Sequence, residues 1–146
     1  MSYAGRKLWL GTAEEGLRVD AWEGREDVLR RIERATNAKD FDEVARHLDS
    51  AAVYWFTDGS FRGLVAIRDA FERTWRTIQD EAYTLSDIRW VIRTDTAAVC
   101  VYNFRSQGTV DGRPFDARGR GTNVLHRCEG AWKVVHEHLS RAPADA

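Results

Sequence analysis

The sequence predicts an α+β fold in which N-terminal helices pack on one face of a strongly curved antiparallel sheet. Three observations carry this. Apolar residues recur at helical spacing in three segments up to residue 78, the period changes to two after it, and four long strand-like runs are then separated by short polar turns. At 146 residues the chain suits a single domain able to bury a core without disulfide or metal staples, and six Trp, six Phe and four Tyr make that core aromatic.

Each element has its own signal. From Arg25 onward Val28, Leu29, Ile32, Ala35 and Thr36 share one helical face, and the pattern stops near Asn37. Asp40 stands three residues before Glu43 as in a capping box, and Phe41, Val44, Ala45 and Leu48 then form a short second stripe. Ala51 to Phe56, rich in aromatic and β-branched residues, reads as a strand entering the Thr57-Asp58-Gly59-Ser60 bend. Ile67, Ala70, Phe71, Thr74, Trp75 and Ile78 keep helical spacing for three turns and predict the most regular helix. Ala82 to Arg93, Thr96 to Val110, Arg113 to Arg127 and Ala131 to Ser140 read as strands joined by Thr94-Asp95, Asp111-Gly112 and Glu129-Gly130. The expected organisation is an extension over residues 1–24, a domain over 25–141 and a tail over 142–146. Leu8, Trp9, Leu10, Leu17 and Trp22 give the extension a means of docking on its own domain or on a neighbouring subunit. A sheet curved this way encloses a cone, and wherever the helices leave it unfilled an apolar pocket remains for a small organic molecule.

Composition excludes several classes. Lys plus Arg number 22 against 23 for Asp plus Glu, a net charge of -1, so the positive field of a nucleic-acid binder is missing. With only Cys100 and Cys128 available, ordinary buried thiols in a reducing compartment are expected. No apolar run near Met1 is long enough for a signal peptide or a membrane span, and the expected location is cytoplasmic, with no membrane partner.

The last hairpin admits two registers. A three-residue loop with Gly130 in the left-handed conformation sets Arg127 opposite Ala131. His126 then faces Trp132, Val124 faces Val134, Thr122 faces His136 and Arg120 faces His138, with Asn123, Leu125, Val135, Glu137 and Leu139 on the other side. A two-residue Glu129-Gly130 turn shifts the pairing by one and mixes these sets. In the first register both faces carry large apolar residues, which calls for helices on the concave side and a second subunit on the convex side: a homodimer, or a higher ring.

The segment TNVLHRCEGAWKVVHEHLS closely resembles the end of the association domain of calcium/calmodulin-dependent protein kinase and of its bacterial relatives in the SnoaL-like branch of the nuclear transport factor 2-like superfamily. DGSFRGLVAIRDAF and TAAVCVYNF extend the likeness to roughly Glu26 to Ser140. The resemblance implies a cone-shaped, commonly dimeric domain with a pocket. It does not imply one reaction, because members include isomerases, dehydratases, cyclases, epoxide hydrolases and non-catalytic assembly modules. In the kinase domain the pocket is lined by arginines and gated by a tryptophan. By position the tryptophan is matched by Trp75, whereas the arginine positions fall on Phe104, Asn123 and Leu139. A bidentate anion clamp is therefore not implied, and a neutral, apolar or aromatic ligand is favoured.

Among individual side chains, Glu137 is the one candidate catalytic residue. Surrounded by Leu125, Val135 and Leu139, its carboxyl would be desolvated and its pKa raised toward the range of a general acid or base. The plainer reading of the same residue is a glutamate at a wet pocket mouth. Trp75, Phe104, Asn123, Leu139, Tyr54, Tyr102 and Phe71 are the expected ligand-binding residues, Asn123 as a polar anchor with room beside Gly121. His136 and His138 point the same way from one strand, yet Arg120 beside them disfavours a cation. No metal or cofactor is expected, and a hydrogen-bonded network with Thr122, Arg120 and Ser140 is preferred. The leading functional expectation is a homodimeric small-molecule-binding domain with an aromatic, largely uncharged pocket. The alternatives are a lyase, isomerase or hydrolase of the same fold using Glu137 with a tyrosine, and a non-catalytic oligomerisation module.

Overall fold

The computed structural model describes residues 24–144. A first helix, α1, covers 24–37 of the described chain. It is followed by α2 (Phe41–Arg46), β1 (Leu48–Phe56), β2 (Gly59–Arg62), α3 (Gly63–Thr77), β3 (Gln79–Arg93), β4 (Ala97–Val110), β5 (Arg113–Cys128) and β6 (Ala131–Arg141). The expected extension lies outside the described residues except for Gly24, which belongs to α1. Among the described residues no helix is long and apolar enough to cross a membrane.

The six strands form one unclosed sheet in the order β2-β1-β6-β5-β4-β3. Every neighbouring pair is antiparallel except β1 with β6, which run parallel with Tyr54 beside Glu137. The Asp40 side chain accepts the Glu43 backbone N–H at 3.1 Å, the cap that the spacing predicted for α2. Helix α3 buries Ile67, Ala70 and Phe71 as its stripe requires, and it packs on β1, β2 and β3. Helix α1 does a second job at the open edge of β3. Asn37 bonds both the backbone N–H and the carbonyl of Tyr83, at 2.7 and 2.8 Å. Glu33 accepts the Leu85 N–H at 2.6 Å, and Arg30 donates to the Leu85 carbonyl. An edge that would otherwise offer free backbone groups to another chain is thereby covered.

The C-terminal hairpin takes the two-residue turn. Glu129 and Gly130 both have positive φ, 51° and 80°, and Cys128 pairs with Ala131. The simple shift this would impose is undone by a bulge at Val135: Leu125 pairs with Val134, but Val124 pairs with His136 and Asn123 with Glu137. Trp132 and Val134 therefore lie buried on the concave side with Leu125 and Glu137, correcting their expected place on the convex face. Arg120 likewise pairs with Ser140, and His138 with Thr122. The apolar residues that the first register assigned to a covered convex face are thus mostly core. Cys100 is buried, but Cys128 is exposed, and neither forms a disulfide.

Candidate functional site

The concave face and α3 leave a cavity of about 450 Å³. Phe56, Phe71 and Trp75 form one wall, linked ring to ring at 5.7 Å each. Tyr83 and Phe104, with centroids 5.9 Å apart and planes only 30° from parallel, form the other. Leu139 and Glu137 enter from β6, and Phe115 and Val110 reach in from the long β4–β5 hairpin. Of the residues expected to bind a ligand, Trp75, Phe104, Leu139 and Phe71 line this space with Glu137, whereas Tyr54, Tyr102 and Asn123 do not. Those three are 1 %, 3 % and 4 % exposed and belong to the packed floor.

Tyr102 acts from beneath. Its hydroxyl donates to Glu137 Oε1 at 2.5 Å, although Tyr102 is on β4 and Glu137 on β6. The ring must therefore lie across the intervening β5. It can because Gly121, the partner of Tyr102 in the ladder, has no side chain: a Cβ there would come within 2.3 Å of the ring. Gly119 does the same for Phe104. The alternation Arg118-Gly119-Arg120-Gly121 thus places glycines under two aromatic rings and arginines on the other face. Space expected beside Asn123 is filled by Tyr102.

Burial pushes the Glu137 carboxyl up to about 7, against the opposing pull of the Tyr102 hydrogen bond. Burial, then the charge of Glu137, holds the phenols of Tyr54, Tyr83 and Tyr102 far above their ordinary value, so they remain proton donors. The Cys100 thiol is pushed by burial to about 12 and is not a nucleophile at neutral pH.

A second carboxyl was missed by sequence reasoning. Glu81 lines the same cavity and accepts a hydrogen bond from Ser106 Oγ at 2.5 Å. Burial raises its pKa, while Ser106 and the nearby Lys39 ammonium partly offset the rise. The signal was the strand period: Glu81, Tyr83 and Leu85 share one face of β3, but the strand was expected to begin only at Ala82. It begins at Gln79, with Asp80 at φ 52° where the pairing to β4 slips. Charge also gathers at the cavity wall in Asp58, Arg73 and Arg141, so the lining is more polar than the expected uncharged cone.

The histidines lie elsewhere. His136 Nδ1 bonds the Val53 carbonyl at 2.7 Å, and Trp55 stands edge-on to His136 and His138 at 5.1 and 5.3 Å on the convex face. Among the described residues no group of three or more His, Cys, Asp or Glu is placed to hold a metal ion.

A helix-lined, unclosed sheet around an aromatic cavity with carboxyls in its lining defines the cone-shaped class of small α+β domains. Within it, the family model of the SnoaL-like domain matches residues 26–145, and the chain belongs to that family. No curated protein matches it in sequence. Among solved structures, a nuclear transport factor 2-like superfamily protein from Salmonella enterica superposes with a TM-score of 0.80 at 15 % identity, over 88 % of this chain and 96 % of that one. A proposed aromatic ring hydroxylase from Novosphingobium aromaticivorans gives 0.76 at 19 %, over 86 % and 91 %. A proposed calcium/calmodulin-dependent protein kinase II association domain from Xanthomonas campestris gives 0.70 at 18 %, over 80 % and 84 %. At these identities the likeness establishes the nuclear transport factor 2-like fold alone.

Proposed function

We propose that the chain binds a small, mostly apolar organic molecule in the cone and moves a proton to or from it through Glu137, as a lyase, isomerase or hydrolase would. The observation that carries this is the Glu137–Tyr102 pair at the floor of an open aromatic cavity. A structural carboxyl sealed in a core is usually neutralised by a cation, whereas this one lines the cavity and, among the described residues, is held by a phenol. With a pKa of about 7 it can both accept and release a proton near neutral pH. Trp75, Phe71, Phe104 and Leu139 supply the apolar contact, and Tyr102 holds the carboxyl in place.

Native mass spectrometry of protein purified without added ligand tests the binding reading: a mass lost on denaturation identifies an occupant, and Trp75→Ala should weaken its retention. With that occupant or its relatives as substrate, Glu137→Gln should leave binding intact and abolish turnover. Equal turnover in both proteins would remove Glu137 from the chemistry. The proposal includes a homodimer formed through the convex face, where Trp55 is 45 % exposed and Val101 37 %. Trp55→Arg should then convert a sedimenting dimer to monomer, and a monomeric wild type would refute the dimer.

A further inference from the structure

We propose that Glu81 is a second catalytic residue of the cavity, acting as the base while Glu137 acts as the acid, so that a proton is taken from the substrate at one point and given at another. The inference rests on the proton-transfer reading above and adds the division of labour. Both carboxyls line one cavity from different strands, Glu81 from β3 and Glu137 from β6, and each accepts a hydroxyl hydrogen bond of 2.5 Å from β4, Ser106 for Glu81 and Tyr102 for Glu137. Hydroxyl donors of this kind orient a carboxyl without adding a charge, and they leave its second oxygen for the ligand.

The two environments differ in a way that sets the roles. Glu137 is 8 % exposed, beside the buried Tyr54 and Tyr102, and its hydrogen bond among the described residues comes from the uncharged Tyr102 hydroxyl. Glu81 is half-buried, and burial raises its pKa, but unlike Glu137 it has both a hydroxyl bond from Ser106 and the charge of the Lys39 ammonium favouring its ionised form. Two carboxyls in unequal surroundings separate into a proton holder and a proton acceptor. Just beyond Glu81 on β3, the backbone N–H groups of Tyr83 and Leu85 donate to Asn37 and Glu33 of α1.

The chemical class that fits is a neutral carbonyl compound with an acidic C–H. The Glu81 carboxylate takes the proton, the C–H electron pair becomes a C=C bond, and the carbonyl π pair moves to oxygen, which receives the Glu137 proton to give the enol. Glu81 ends neutral and Glu137 ionised. Reversal at a different carbon, or exchange with water through the open mouth, restores both.

The probe is 5-nitrobenzisoxazole, a small neutral aromatic whose ring opens when a base removes its C–H proton. The N–O bond breaks, the electron pair stays on oxygen, and the cyanophenol product is followed by its absorbance after protonation or release as phenolate. Wild type should open it faster than the Glu81→Gln/Glu137→Gln double variant. Loss of a general base removes about 100-fold or more in rate, so Glu81→Gln should fall by about that factor. Glu137→Gln should fall less and lose the descending limb of the pH–rate profile centred near 7. Ser106→Ala, which removes the bond favouring ionised Glu81, should move the ascending limb to higher pH, and this reads the role even if Glu81→Gln folds poorly. If Glu137→Gln alone abolishes the reaction and Glu81→Gln leaves it unchanged, the role of Glu81 is overturned and the proton-transfer reading stands. If wild type and the double variant are equal, both fall.

Discussion

Replacing Glu137 by Gln should change how stability depends on pH, and this can be measured without a substrate. The folded-state pKa of about 7 lies above the ordinary 4.5, so between those values the native chain retains a proton that the unfolded chain has released. Stability contributed by this group is fully present below about 4.5 and is lost as pH rises through about 7. A gap of about 2.5 in pKa, at about 1.4 kcal/mol for each, makes the full loss about 3.5 kcal/mol, of which about 3 kcal/mol falls between pH 4.5 and 8.5. Glutamine keeps the shape and an acceptor for Tyr102 but cannot ionise. Urea unfolding of both proteins at pH 4.5, 6, 7 and 8.5 should therefore show the variant gaining on wild type by about 3 kcal/mol across the series. Any cost of the amide is a constant offset. A difference that stays flat with pH would mean that Glu137 is not held protonated by burial. A difference of the opposite sign would mean that the Tyr102 bond outweighs burial.

Other perturbations address the same floor. Tyr102→Phe removes the hydrogen bond that pulls Glu137 down, so the carboxyl should titrate above 7 by carbon-detected NMR and the fold should lose about 1–2 kcal/mol; an unmoved titration would contradict the bond. Gly121→Ala sets a Cβ within 2.3 Å of the Tyr102 ring and should cost about 1–3 kcal/mol in chemical denaturation while raising the Glu137 pKa in the same direction. Phe71→Ala empties the junction of Phe41, Tyr54, Phe56 and Trp75 and should cost about 3–5 kcal/mol, read as a lower melting temperature. A loss under about 1 kcal/mol there would mean that the wall collapses into the cavity.

Local periodicity was enough to make the helices and strands legible. The stripes of α1 and α3, the Asp40 cap and the three turns after residue 93 are written in runs of a few neighbouring residues, and burial rewards those runs wherever the chain packs. The SnoaL-like resemblance and the inward parity of Glu137 were readable for the same reason. What the sequence could not settle depends on pairing between distant segments. The bulge at Val135 lets Trp132 and Glu137, an odd number of residues apart, face the same side, and no local signal marks it. Asp80 at the slip in β3 admits Glu81 to the cavity, while Gly121 opens the path by which Tyr102 reaches across a strand. Tyr54, Tyr102 and Asn123 share the parity of the pocket residues, yet only the depth of the cone and the position of α3 decide that they form its floor rather than its wall. Side-chain period is a property of the chain, but register and depth are properties of the assembled sheet and the helices on it, and the acid–base character of Glu137 arises from that burial.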